Sequence, residues 1–224
     1  MAQSTFGAAV AAPKQSSDAE QATPSRPPQE ELRLSLPWHQ KLAMRFWGKF
    51  DTVPCTYLDW YQFCIDRPKQ GAVLCTVAGE GQFLDDPRGI EWANKEEELQ
   101  AMEVWDGLKR LITVKGVRLA VVLDSNNPAA NKTARRFAAT IKPETKAGQT
   151  AKPAFVAFTS GVISNHFSIY REHVFIEAVH KPHALLENRP GVRVTNYKDA
   201  FQYALEEWNN CLLDESTALL TPRE

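Results

Sequence analysis

Apolar residues run without a break through Leu119-Ala120-Val121-Val122-Leu123, inside the stretch Val117–Asn127 (VRLAVVLDSNN). Such a run is too short for a helix and lacks the alternation of a strand wetted on one face, so it predicts a central strand buried on both faces. Asp124-Ser125-Asn126-Asn127-Pro128 ends it with residues that bond their own backbone and favour a turn. Helical spacing resumes at once: Ala130, Ala134, Phe137, Ala138 and Ile141 share one stripe, and Lys132, Arg135 and Arg136 occupy the opposite face.

Upstream, Gly71–Ala78 (GAVLCTVA) reads as a strand with a turn at Gly79-Glu80-Gly81, and a long helix is expected over Gly89–Thr113. Trp92, Leu99, Met102, Trp105, Leu108 and Ile112 form its apolar stripe, opposite a solvated Lys95-Glu96-Glu97-Glu98 face. Tyr57–Cys64 has the aromatic-heavy face of a short helix packed on the core, with base or sugar stacking as the alternative use of its rings. Ala154–Thr159, Phe167–Tyr170 and Val174–Val179 are further strand candidates. Pro143–Pro153 is a polar loop. A last helix over Tyr197–Leu213 places Phe201, Leu205, Trp208 and Leu212 on one side. Strands alternating with helices, without an internal repeat, predict an α/β fold: a single mixed-sheet domain with helices packed on the sheet.

Composition sets the limits of that domain. Residues 1–36 are rich in Ala, Gln, Ser, Pro and Glu, bury too little apolar surface to offset ordering, and are expected to form a disordered tail. The domain then covers 37–213, opening on Trp38, Phe46, Trp47 and Phe50, and 214–224 should fray. With 43% hydrophobic residues in 224, a core can form without disulfides. Cys55, Cys64, Cys75 and Cys211, which form no CxxC pair, read as reduced core thiols. No apolar run approaches the roughly 20 residues that span a bilayer, and no leader pattern opens the chain, so a cytoplasmic protein without membrane insertion is expected.

A formal net charge of −1 argues against nucleic-acid binding driven by overall positive charge, which leaves such binding possible but not favoured. The charge is segregated, however. Glu80 to Asp106 carries nine acidic and two basic residues, whereas Lys109 to Lys152 carries ten basic and two acidic. Either the two blocks cancel inside one fold, or Lys132, Arg135 and Arg136 form a partner-binding surface for an acidic protein or a phosphate backbone.

Candidate chemistry is sparse. His166, His173, His180 and His183 fall within eighteen residues and could supply zinc ligands, but the tight spacing of a zinc site is missing, so no metal and no cofactor is expected. Asp124 stands at the carboxyl end of the central strand, where open α/β sheets bind ligands; the alternative role is to cap its turn. Asn131-Lys132-Thr133 lacks the preceding glycine of a phosphate loop, and Ser160-Gly161 is not a nucleophile elbow. The lone Gly79-Glu80-Gly81 lacks the third glycine of a dinucleotide site. No catalytic residue is assigned.

Two stretches, RFWGKFDTVPCTYLDWYQF and AFVAFTSGVISNHFSIYREHVFIEAVHKP, together with the polar tail and the chain's size, resemble the plasmid fertility-inhibition factors over most of residues 37–213. The resemblance implies a binding protein that inhibits conjugative transfer of a co-resident plasmid through the conjugation machinery, its coupling ATPase foremost. Some members of the wider group are linked to nucleotide or DNA cleavage. The alternative it leaves open is a metal- or nucleotide-dependent phosphate-ester hydrolase, a nuclease or NTPase using Asp124 and the histidine-rich stretch.

Overall fold

The structure, a computed structural model, describes residues 28–46, 49–141, 153–178 and 188–221. In chain order the elements are α1 (Pro28–Glu31), α2 (Trp38–Phe46), β1 (Asp51–Thr56), α3 (Tyr57–Asp66), β2 (Val73–Ala78), α4 (Lys95–Thr113), β3 (Arg118–Asp124), α5 (Pro128–Thr140), β4 (Phe155–Ser160), β5 (Phe167–Tyr170), β6 (His173–Glu177), β7 (Pro190–Thr195), α6 (Lys198–Leu213) and β8 (Ala218–Leu219). Among the described residues the strands form one mixed sheet in the order β1-β7-β6-β5-β2-β3-β4-β8. This is the expected α/β architecture, and none of the described helices is long and apolar enough to cross a membrane.

β2, β3 and β4 are parallel neighbours, so each step needs a crossover, which α4 and α5 provide. Successive side chains of β3 point to opposite faces: Leu119, Val121 and Leu123 join the core formed with α3, α4 and α5, while Ala120 and Val122 join the one formed with α6. Helices cover both faces, which is why the run from Leu119 to Leu123 is apolar without alternation. The expected helix after this strand is present, with Asn127 accepting from Ala129 N at 3.0 Å to cap it and Pro128 at its first turn.

Several boundaries differ from the sequence reading. The long helix begins at Lys95 rather than Gly89. Asp86 and Pro87 start a separate 3-10 turn, Trp92 lies outside the helix with its Nε1 on the Pro87 carbonyl, and Asn94 accepts from Glu97 N at 2.9 Å as the cap. Its buried face is Ala101, Val104, Trp105, Leu108, Leu111 and Ile112, whereas Leu99 is 49% exposed. The glutamates of the first turn complement the helix dipole.

Part of the expected tail is attached to the domain: Leu32 is buried and Leu34 and Leu36 are half-buried, while Glu30, Glu31, Arg33 and Ser35 stay exposed. Leu32 is buried against α6, Trp208 Nε1 donates to its carbonyl at 3.0 Å, and Asn209 pairs with the backbone of Leu34 through both amide atoms. The alternation Leu32-x-Leu34-x-Leu36 supplies the apolar side of this strap; residues 1–27 lie outside the described residues. At the other end 214–221 do not fray: β8 pairs with β4, and Thr221 Oγ1 accepts from Ala157 N at 2.8 Å, covering a sheet edge. Trp38 and Phe50, at the expected opening of the domain, are 75% and 62% exposed. The side chain of Phe46 and all of Trp47 lie outside the described residues, as does most of the loop Pro143–Pro153.

Candidate functional site

The basic face of α5 is divided. Lys132 and Arg135 are exposed, one turn apart. Arg136 instead pairs through Nη2 with Asp85 Oδ1, whose other oxygen accepts from Thr133 Oγ1 at 3.0 Å. Burial pushes the Asp85 carboxyl up, against the opposing pull of the Thr133 hydroxyl and the Arg136 guanidinium. The acidic and basic blocks therefore meet within the fold here, and again where Lys109 Nζ lies 2.7 Å from Asp106. Thr133, in Asn131-Lys132-Thr133, is spent on Asp85.

Asp124 caps its turn: Oδ1 accepts from Asn126 N at 2.9 Å and from Asn126 Nδ2 at 3.1 Å. The histidine-rich span does not converge as far as it is described. His166 Nδ1 lies 3.1 Å from Glu177 Oε2, and His173 Nδ1 lies 2.8 Å from Thr195 Oγ1. His180 and His183 lie outside the described residues. Among the described residues no three His, Cys, Asp or Glu side chains gather as metal ligands.

A small cleft opens instead at the carboxyl end of β2, where the direction of the sheet changes between β2 and antiparallel β5. Ligands of open α/β sheets favour such a switch point. The turn that forms its rim needs Gly81, whose φ is +69° and where a Cβ would stand 2.8 Å from Leu123 Cδ2. Aromatic walls come from Tyr57, Phe83, Phe167 and Phe175, and Tyr61 stacks on Phe83 at 4.7 Å.

Polar groups in the cleft are held in two networks. Arg189, only 9% exposed, reaches Glu177 Oε1 with Nη1 and Gln82 Oε1 with Nη2, both at 3.3 Å, and Glu80 lies 3.8 Å from Nη2. Its Nε is buried and, among the described residues, has no hydrogen-bond partner. Burial acts to raise the Glu177 carboxyl, but the bond from His166 and the Arg189 charge outweigh it and leave it below its ordinary value. The second network is a chain of hydroxyls: Ser168 Oγ donates to the Cys75 carbonyl at 3.0 Å, lies 2.7 Å from Thr76 Oγ1, and Thr76 Oγ1 is 3.3 Å from Tyr61 Oη.

The sequence reading assigned none of these cleft residues. Arg189 stands in a loop, Gln82 opens a 3-10 turn, and Glu80 and Glu177 lie far apart in sequence, so no spacing marks them. The local signals were Gly79-Glu80-Gly81 after an apolar strand, which is not a dinucleotide fingerprint, the aromatic face of Tyr57–Cys64, whose Tyr57 and Tyr61 line the cleft, and His166.

No protein-family model matches the chain, and no curated protein does. Among solved structures, the archaeal chromatin protein TrmBL2, described as showing a novel mode of DNA binding, matches with a TM-score of 0.42 and 11% identity over 77% of this chain. This chain spans 57% of that protein.

Proposed function

We propose that the protein inhibits conjugative transfer of a co-resident plasmid by binding a component of the conjugation machinery in the cytoplasm, its coupling ATPase foremost, without chemistry of its own. The resemblance of RFWGKFDTVPCTYLDWYQF and AFVAFTSGVISNHFSIYREHVFIEAVHKP to the fertility-inhibition factors supplies the direction of this reading. The observation that carries it is the state of the basic helix face. Lys132 and Arg135 stand exposed on α5 while Ala130, Ala134 and Phe137 anchor its other side in the core, so two cations are presented on a rigid element. Arg136, exposed beside them, also pairs with Asp85, so in this reading Lys132 and Arg135 are the two cations of the face that have no such ion pair among the described residues.

Asp124, whose Oδ1 holds the backbone and side chain of Asn126 in its own turn, supports the binding reading over the phosphate-ester hydrolase. A pull-down with the purified coupling ATPase of a conjugative plasmid tests the proposal. The wild type should be retained, and the double variant Lys132→Glu, Arg135→Glu should bind about tenfold more weakly through lost attraction and added repulsion. Equal retention of wild type and variant would remove this face from the interface, and no retention of the wild type would remove the ATPase as partner.

A further inference from the structure

We propose that the arginines gathered at the end of α3, on β7 and in the turn between β5 and β6 bind a phosphate group. Arg67, which closes α3, and Arg193, inside β7, both lie against the ring of Phe63, their Cζ atoms 4.2 and 4.1 Å from its centroid. The two guanidiniums are therefore no farther apart than those two distances laid end to end, a span that one tetrahedral anion can bridge. Neither has an ion pair or a side-chain hydrogen bond among the described residues. The ring holds each guanidinium in place but accepts none of its in-plane N–H groups, and two like charges this close repel until an anion joins them. Both can be reached. Arg67 is exposed, and of the Arg193 nitrogens Nε alone is both buried and unpaired, so the two terminal nitrogens, unpaired as well, are open to solvent.

Arg171 is the third cation. It stands exposed in the two-residue turn from Tyr170 to His173, with φ at +57°, a conformation that strains an arginine and costs a glycine little. An arginine held at that cost points to a use for its side chain. Arg67, Arg171 and Arg193 all act on His173, and Glu172 is the one carboxylate that opposes them there. Glu172 lies 3.4 Å from Arg171 Nε and 3.5 Å from His173 Nε2, so it stays at the turn. Of the other carboxylates at this end of the sheet, Asp66 accepts from Gln62 Nε2 at 2.8 Å and Asp51 stands opposite Thr195 across β1 and β7. The unpaired charge selects the ligand class. A carboxylate would bring one charge and two oxygens, enough for a single guanidinium, whereas a phosphate brings more oxygens and up to two charges. This site is separate from the exposed face of α5, and its test does not involve the conjugation machinery.

The test is calorimetric titration of the full-length protein, at constant ionic strength, with inorganic phosphate, acetate and a thymidine decamer lacking terminal phosphates. Phosphate should bind saturably with a Kd on the order of 1 mM, and acetate about tenfold more weakly. Arg67→Gln, at an exposed position, should fold normally and weaken phosphate about tenfold. Arg171→Gly relieves the turn, so it should keep or raise the thermal midpoint yet weaken phosphate about threefold, a split that a purely structural arginine would not give. It carries the test should Arg67→Gln not fold. The decamer separates two sources of the same group: displacement of phosphate by the decamer assigns it to a nucleic-acid backbone, and phosphate binding without displacement assigns it to a small phosphate ester, each in support of the site. No saturable binding of phosphate would overturn the proposal, as would equal binding of acetate or unchanged affinity in a folded variant.

Discussion

In the half of the sheet made of β2, β3 and β4, nearly every side chain is buried, and the charged residues stand at the strand ends. In the antiparallel half, β6, β7 and β1 are only partly covered; His173 and Glu177 stand at the two ends of β6, and Arg193 lies inside β7. The parallel half is sandwiched between α6 and the crossover helices, so its strands must be apolar on both faces. The other half is covered unevenly and can hold ionisable groups. The cleft lies where the two meet, taking its rim from the loop after β2 and its charges from β6 and the approach to β7. Rigid packing on one side thus positions polar chemistry supplied by the other.

The sharpest way to break this comparison is to place a charge in each half. Val121→Asp in β3, where the wild-type side chain is fully buried, should destabilise by about 5 kcal/mol or more and abolish soluble expression. Thr52→Asp in β1, at an exposed edge position, should alter stability by about 0.5 kcal/mol. Urea titration of the two proteins checks the contrast, and a stable Val121→Asp variant would mean that β3 is not buried on both faces.

A second, smaller effect is expected at the strap on the opposite layer. Leu32→Ala should cost about 2–4 kcal/mol, the usual range for a leucine truncated in a packed core. A change below about 0.5 kcal/mol would show that the segment before α2 does not belong to the domain.

These differences follow what was legible in the sequence. The parallel half was read almost element by element because a double-faced burial leaves unbroken apolar runs at Leu119–Leu123 and Phe155–Phe158. β7 was missed because Pro190 and Gly191 read as breakers, although Gly191 is there for close approach: a Cβ would fall 2.6 Å from the Ile176 carbonyl. β1 was missed because Pro54 and its exposed polar residues suit an edge strand that has no hydrophobic signature. The strap was hidden by the polar composition around Leu32, Leu34 and Leu36. Of the candidate site, the basic helix face was visible as periodicity, but the capture of Arg136 by Asp85 joins positions brought together only by the fold.

Acid should expose the difference between the halves more gently. Burial holds His173 in β6 below the ordinary histidine value, helped by Arg193, Arg171 and Arg67 and opposed by Glu172; its Nδ1 faces Thr195. With the folded value depressed, the unfolded chain binds more protons as pH falls through the usual histidine range near about 6.5, so stability is lost from there downward. Thermal midpoints measured from about pH 7.5 to about pH 5.5 should fall for the wild type and fall less for His173→Gln. Identical profiles would remove His173 from the acid response.

The smallest expected change in stability belongs to the exposed pair on α5, where Lys132→Glu with Arg135→Glu should shift unfolding by about 0.5 kcal/mol or less. The same pair bears the largest functional expectation. Conjugation frequency of a co-resident plasmid, measured in donors expressing this protein, tests that expectation most directly. The wild type should lower transfer by about tenfold or more, and the folded double variant should restore most of it. Undiminished transfer of every plasmid tested in the presence of the wild-type protein would contradict the account.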